Sequence, residues 1–305
     1  MRSETKVILA LLLLLLGLEA AARLMETRLS KDVQHLRSLP EQAQKLRGTT
    51  HDRARILLLG NSLARCGVHI PTLQAGIQQA MEAEPTIAVM HPDGSKIEEW
   101  AYGYNRFFRD TASEPDLILL ITGRQHLTDK IKSIDDLGAF YVGTNDLPAF
   151  VANHLHKLED TGWFFASRYS ALMAHRARVE PLVFYKFVPG YEQTAQEINR
   201  GIQAPAVTPA ATCNTFSQFA SDLAKRKVKL VVVSAPLPEP FSLPPEVLKA
   251  AALSKAFVHE AGAKMRLPPE RFPDQYHLDE IGADIFTKDL LPSVIEALKT
   301  RTADH

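Results

Sequence analysis

Three short runs constrain this chain more than anything else in it: "RILLLG" (55–60), "DLILLIT" (116–122) and "VKLVVVSAP" (228–236). Each is apolar without alternation and of strand length. A strand with one wet face alternates polar and apolar residues, whereas an uninterrupted run is buried on both faces, as in a parallel sheet covered by helices. "TIAVMH" (86–91), closed by Pro92-Asp93-Gly94, reads as another strand. "AKMRLP" (263–268) is the weaker candidate for a fifth. Helical stretches separate them. One follows residue 62, with a proper start expected after Pro71, and another covers 96–109. A third, "TFSQFASDLAKRK", places Phe216, Phe219 and Leu223 on one face. The last runs from Asp279 to about Lys299, bent or restarted at Pro292. Alternating strands and helices predict an α/β domain with a mainly parallel five-stranded sheet and helices on both faces.

The N-terminus carries a second signal. Arg2 and Lys6 precede "VILALLLLLLGL" (7–18), and Glu19 and "AAARL" follow. Twelve apolar residues are short for a span, which needs about 20, but continuing to Leu24 makes the segment long enough. It reads as an uncleaved anchor over residues 1–24. A cleaved signal peptide fits the same pattern, and a buried core helix is the third reading. The basic residues before the run hold the N-terminus inside and send the bulk of the chain to the extracytoplasmic side, or into the medium if the segment is cleaved. Residues 25–54 read as a helical stalk interrupted at Pro40, with Leu29, Val33, Leu36, Leu39 and Leu46 at helical spacing. The globular domain is expected over 55–300. The stretch 124–212 is too long for a simple crossover and reads as an inserted helical cap, ending in the loop "QAPAVTPAAT" (203–212).

Composition narrows the functional classes. Lys plus Arg and Asp plus Glu are both 35, so net charge gives no argument for nucleic acid. The two cysteines, Cys66 and Cys213, are too few and too far apart for a zinc or CxxC site, and a disulfide between them is disfavoured. No glycine-rich phosphate loop follows the first strand, which disfavours a nucleotide binder. Neither a metal nor an organic cofactor is expected.

In a parallel sheet, ligands gather at the carboxyl ends of the strands. Ser62 sits there, past the first strand, after Gly60 and Asn61. A nucleophilic serine needs a base, commonly a histidine oriented by a carboxylate. "FPDQYHLDEIG" offers Asp274 and His277, three residues apart and just before the last helix. In a turn, that spacing lets the carboxylate reach the imidazole.

Taken together, strand-Gly-Asn-Ser-Leu, glycines after the second and third strands, and Asp-x-x-His-Leu before Gly282 resemble the SGNH/GDSL hydrolase superfamily over about residues 55–299. The resemblance implies a flavodoxin-like three-layer α/β/α sandwich and an esterase, lipase, deacetylase or O-acetyltransferase activity. The branch that looks closest is membrane-anchored and includes D-alanyl-lipoteichoic acid and alginate-acetylation proteins. By position, Ser62 matches the family's nucleophile, and Asp274 and His277 its acid and base. Gly94 matches the glycine whose N–H faces the oxyanion. Asn61 stands where many members have aspartate. Gly123-Arg124-Gln125-His126 stands where the family has Gly-x-Asn-Asp, so Gln125 replaces the oxyanion asparagine.

The resemblance implies a membrane-anchored esterase or O-acyltransferase acting on small acyl esters, acetyl first, of envelope or extracellular polysaccharide. The Gln125 departure motivates a second reading: a catalytically weak scaffold or binding subunit beside an integral-membrane acyltransferase. Arg124 and His126 read as loop-surface residues, with contact to an acidic substrate as the alternative. His154 and His156 would face different sides of a helix and read as surface residues. "WFFASRY" reads as core, and Cys66 as packed inside.

Overall fold

The computed structural model describes residues 3–50, 52–110, 112–191 and 212–302. The chain divides into two compact units, one of residues 1–37 and 133–211, the other of 38–132 and 212–305.

The larger unit is built on five parallel strands: β1 (Arg55–Leu59), β2 (Thr86–Met90), β3 (Leu117–Thr122), β4 (Lys229–Ser234) and β5 (Phe257–His259), in the order β2-β1-β3-β4-β5. This is the doubly wound order of a flavodoxin-like sheet. The long apolar runs form its centre, and β3 is buried along its whole length. Successive strand residues face opposite sides. Ile56, Leu58, Leu117, Leu119, Ile121, Val231 and Val233 share one core with α3 (Ser62–Gly67), α4 (Ile70–Met81) and the C-terminal helix Glu280–Thr302. The alternate residues Leu57, Leu59, Ile118, Leu120, Leu230 and Val232 are equally buried but lie outside that core. Their side is that of α5 (Ile97–Phe107) and the helices Asn214–Lys225 and Pro245–Leu253, whose Tyr104 and Phe219 rings meet edge to face at 5.6 Å. The result is the expected three-layer α/β/α sandwich.

Two expectations need correction. The fifth strand is "FVH" at Phe257–His259, and the expected one at 263–268 is not a strand: Ala261–Lys264 is a short helix. The stalk also differs. Helix α2 (Lys31–Arg47) runs unbroken through Pro40. Proline costs the helix one hydrogen bond and crowds the preceding turn, but burial of Leu36, Leu39, Ala43 and Leu46 on one face holds it together. Its second half belongs to the sandwich. Val89 of the edge strand β2 donates its N–H to Gln42 Oε1 at 3.1 Å, and the Ile87 carbonyl accepts from Lys45 Nζ at 2.8 Å. Both pairings use backbone groups that an open sheet edge would leave exposed. The C-terminal helix likewise runs through Pro292 as one element.

The smaller unit contains α1 (Ser3–Leu29), long and apolar enough over 3–28 to cross a membrane, with none of that face buried in the protein. This unit also contains helices at Leu147–His154, Leu158–Tyr169, Ala171–Ala174 and Arg176–Phe187. Glu19 of α1 accepts from Ser170 Oγ, Ala171 N and Leu172 N at 2.7–3.0 Å, fastening α1 to the start of the helix at Ala171. Phe164 stacks on Phe150 in the core of this unit, while Tyr169 is exposed, so only part of "WFFASRY" is core. The loop at 203–211 lies outside the described residues. Cys66 and Cys213 are not joined in a disulfide.

Candidate active site

The site is assembled at the carboxyl edge of β1 and β3. After Leu59 the chain turns at Gly60, where any side chain is excluded: a Cβ would lie 2.7 Å from both Ala64 Cβ and the Ile121 carbonyl. Buried Asn61 caps α3 by accepting from Leu63 N at 3.0 Å, and Ser62 is the first helical residue, partly exposed. Asparagine suits the cap because its short side-chain carbonyl reaches the N2 amide.

On the other side of the site, the turn before the C-terminal helix carries Asp274 and His277. Gln275 adopts a left-handed φ of 64° there. Asp274 Oδ1 accepts from the N–H groups of Tyr276 and His277 at 3.0 and 2.7 Å, and Oδ2 accepts from His277 Nδ1 at 2.6 Å. Desolvation alone would raise the Asp274 carboxyl. These donors outweigh it and hold the group down at about 2. With Nδ1–H committed to Asp274, His277 Nε2 is free to accept the Ser62 hydroxyl proton, and Nε2 lies 2.8 Å from Ser62 Oγ. The turn itself is pinned. Asp279 pairs with Arg271 at 2.8 Å and accepts from Gly282 N at 2.7 Å.

The remaining sequence candidates divide. Gly94 has a left-handed φ of 67°, as a turn glycine allows, and a Cβ there would collide with Lys132 Nζ. Its neighbour Ser95 is locked to the same corner: Ser95 O accepts from Asn61 Nδ2 at 3.0 Å, and Ser95 Oγ donates to Pro92 O at 2.6 Å while accepting from Trp100 Nε1 at 2.7 Å. Gly123 N donates to His126 Nδ1 at 3.0 Å. Gln125 is exposed, and its carbonyl accepts from Thr128 Oγ1. Arg124 is exposed beside Glu239, as expected of a surface residue. His126 is not on the loop surface. Its ring is turned inward against Asn61 Nδ2 at 3.1 Å and stands edge-on to Trp100. Ser95, Trp100 and the inward turn of His126 were beyond sequence reasoning. The histidine following Gln125 was the available signal. Among the described residues, no group of three or more His, Cys, Asp or Glu side chains is placed to hold a metal.

A parallel α/β/α sandwich with a Ser62–His277–Asp274 hydrogen-bonded chain at the strand ends has the geometry of a serine hydrolase. No family model and no curated protein matches the sequence. Among solved structures, the fold is similar to the acetylxylan esterase Axe2 from Geobacillus stearothermophilus, with 12% identity over 79% of this chain and 94% of that one, at a TM-score of 0.38. It is also similar to LAE5, an α/β hydrolase from the metagenome of Lake Arreo, Spain, with 10% identity over 83% and 99% of the two chains, at a TM-score of 0.39. Likeness at this level assigns no reaction, and the functional reading rests on the site.

Proposed function

We propose that this chain is a membrane-anchored serine esterase or O-acyltransferase of the SGNH type, facing the extracytoplasmic side. Its substrates are small acyl esters, acetyl first, of envelope or extracellular polysaccharide. The carrying observation is the unbroken relay from Asp274 Oδ2 through His277 to Ser62 Oγ, at 2.6 and 2.8 Å. The apolar α1 supports the anchor, and the sequence resemblance supports the substrate class.

In this mechanism Ser62 Oγ attacks the ester carbonyl carbon while His277 Nε2 takes its proton. Asp274 holds the imidazole in the required tautomer and offsets the charge of the imidazolium. The carbonyl oxygen, now an oxyanion, is held by the backbone N–H groups of Ser62 and Gly94. His277 then returns the proton to the departing alkoxide, leaving an acyl group on Ser62. Water or an acceptor alcohol, deprotonated by His277, resolves the acyl-enzyme, so hydrolysis and transfer use one set of residues.

Exposure of Gln125 favours a second reading, a catalytically weak subunit beside an integral-membrane acyltransferase, because the family's side-chain oxyanion donor is not at its usual position. Turnover of p-nitrophenyl acetate by the full-length protein in detergent separates the two. Activity lost on Ser62→Ala supports the enzyme. Turnover no greater than that of Ser62→Ala supports the subunit.

A further inference from the structure

His126 takes no part in the mechanism above, yet it is built into the site. The Asn61 side chain fixes its state. Asn61 Oδ1 must accept from Leu63 N, so the amide nitrogen faces Ser95 O and His126 Nδ1, with one hydrogen for each. Gly123 N–H points at the same ring nitrogen. A nitrogen that receives two N–H groups carries no proton of its own, so His126 holds its proton on Nε2. Burial, together with the Lys96 and Lys132 ammonium groups, pushes the ring's pKa down to about 4, so the imidazole stays neutral across the working range. Nε2–H has no protein partner among the described residues, and it is not among the sealed orphan atoms of the interior. It is an open donor on a ring anchored to the residue before Ser62.

We propose that His126, through Nε2–H, donates the third hydrogen bond to the oxyanion formed when Ser62 attacks an ester. This rests on the serine-enzyme reading. The ring takes the place of the asparagine that the related hydrolases carry one residue earlier, and Gln125 is left free to face solvent. No proton is transferred: the bond strengthens as charge builds on the carbonyl oxygen and relaxes when the acyl-enzyme forms. A neutral imidazole is the suitable donor, because an imidazolium would need to protonate Nδ1 and break its bonds to Asn61 and Gly123. Asn61 and Ser95 are then positioning residues. They hold His126 and the Gly94–Ser95 turn against the same corner.

The test combines kinetics with nitrogen-15 NMR of the histidines. With p-nitrophenyl acetate, His126→Ala lowers kcat by about 10²–10³ with KM little changed, as loss of a transition-state donor does. His126→Asn recovers at least about tenfold of that loss, because an amide restores a donor. In the wild-type protein, His126 is in the Nε2–H tautomer, and that proton shifts downfield when Ser62 is phosphonylated. A kcat for His126→Ala within about threefold of wild type overturns the proposal, as does an Nε2–H signal indifferent to the adduct. So does transfer of the loss to Gln125→Ala. Should His126→Ala fail to fold, the NMR signature of the wild-type protein decides. A wild-type protein that takes no phosphonate on Ser62 removes the serine-enzyme reading and this one together, whereas labelling with an unaffected His126→Ala removes this one alone.

Discussion

Asn61 Nδ2 lies 3.1 Å from His126 Nδ1, and that contact ties the turn before Ser62 to the loop after β3. The amide serves three partners: the helix cap, the Ser95 carbonyl and the imidazole. An aspartate, found here in many of the resembling hydrolases, could serve only the first.

Asn61→Asp is therefore expected to be harmful despite its family precedent. The carboxylate would face Ser95 O and a lone pair on His126 Nδ1, leaving buried acceptors opposed at a cost of about 1–3 kcal/mol. Denaturant unfolding measures that loss, and the double variant Asn61→Asp/His126→Asn recovers the part owed to the imidazole while the opposition to Ser95 O remains. Equal destabilisation of single and double variants would disconnect the two residues.

Asp274→Asn keeps the shape of the turn but leaves His277 free to adopt the wrong tautomer, so kcat falls by about 10³–10⁴. The wild-type carboxyl is depressed to about 2 in the folded state, from a usual 3.8. The turn's support by Asp274 is thus complete above about pH 3.8 and is lost only as pH falls through about 2. Circular dichroism and denaturant unfolding down to pH 4 should find the turn intact.

Four of the five strands were legible because their side chains are buried on both faces, leaving apolar runs with no alternation. β5 was not. It is three residues long, and its apolar stretch of Ala256, Phe257 and Val258 is too short to stand out between Lys255 and Glu260. Pro40 misled for a related reason: the proline is local, while the Leu36–Leu39–Ala43–Leu46 face that overrides it is tertiary. Ser62, His277 and Asp274 were readable from placement at strand and helix ends, and the structure brings them within hydrogen-bond reach. His126 was not, because its role depends on two partners, Asn61 and Gly123, that only folding brings to Nδ1.

Leu46→Ala tests whether the second half of α2 is a free stalk or part of the sandwich. Leu46 is fully buried, so its truncation destabilises by about 2–5 kcal/mol. A stalk would lose under about 0.5 kcal/mol on the same change, as surface positions do. Thermal unfolding of the full chain distinguishes them.

Glu98 gives the fold a pH dependence separate from catalysis. Its side chain is buried, Oε2 has no hydrogen-bond partner, and burial with nearby Glu99 and Asp129 raises its carboxyl from 4.5 to about 7, against the pull of Lys96. A raised acid is protonated in the folded state while ionised in the unfolded chain. The Glu98 contribution to stability therefore falls as pH rises from about 4.5 to about 7 and levels off above, while buried His126, depressed to about 4, contributes in the opposite direction. Glu98→Gln abolishes that slope and is more stable than wild type at pH 8, by on the order of 1–3 kcal/mol. A stability difference between wild type and Glu98→Gln that does not change across this window would contradict the assignment.

The most direct measurement is intact-mass and peptide analysis of the full-length protein after exposure to a fluorophosphonate. The hydrogen-bonded relay predicts one adduct, on the peptide containing Ser62, absent in Ser62→Ala and strongly slowed in His277→Ala. No adduct on Ser62, with p-nitrophenyl acetate turnover no higher than in Ser62→Ala, would contradict a serine enzyme at this site.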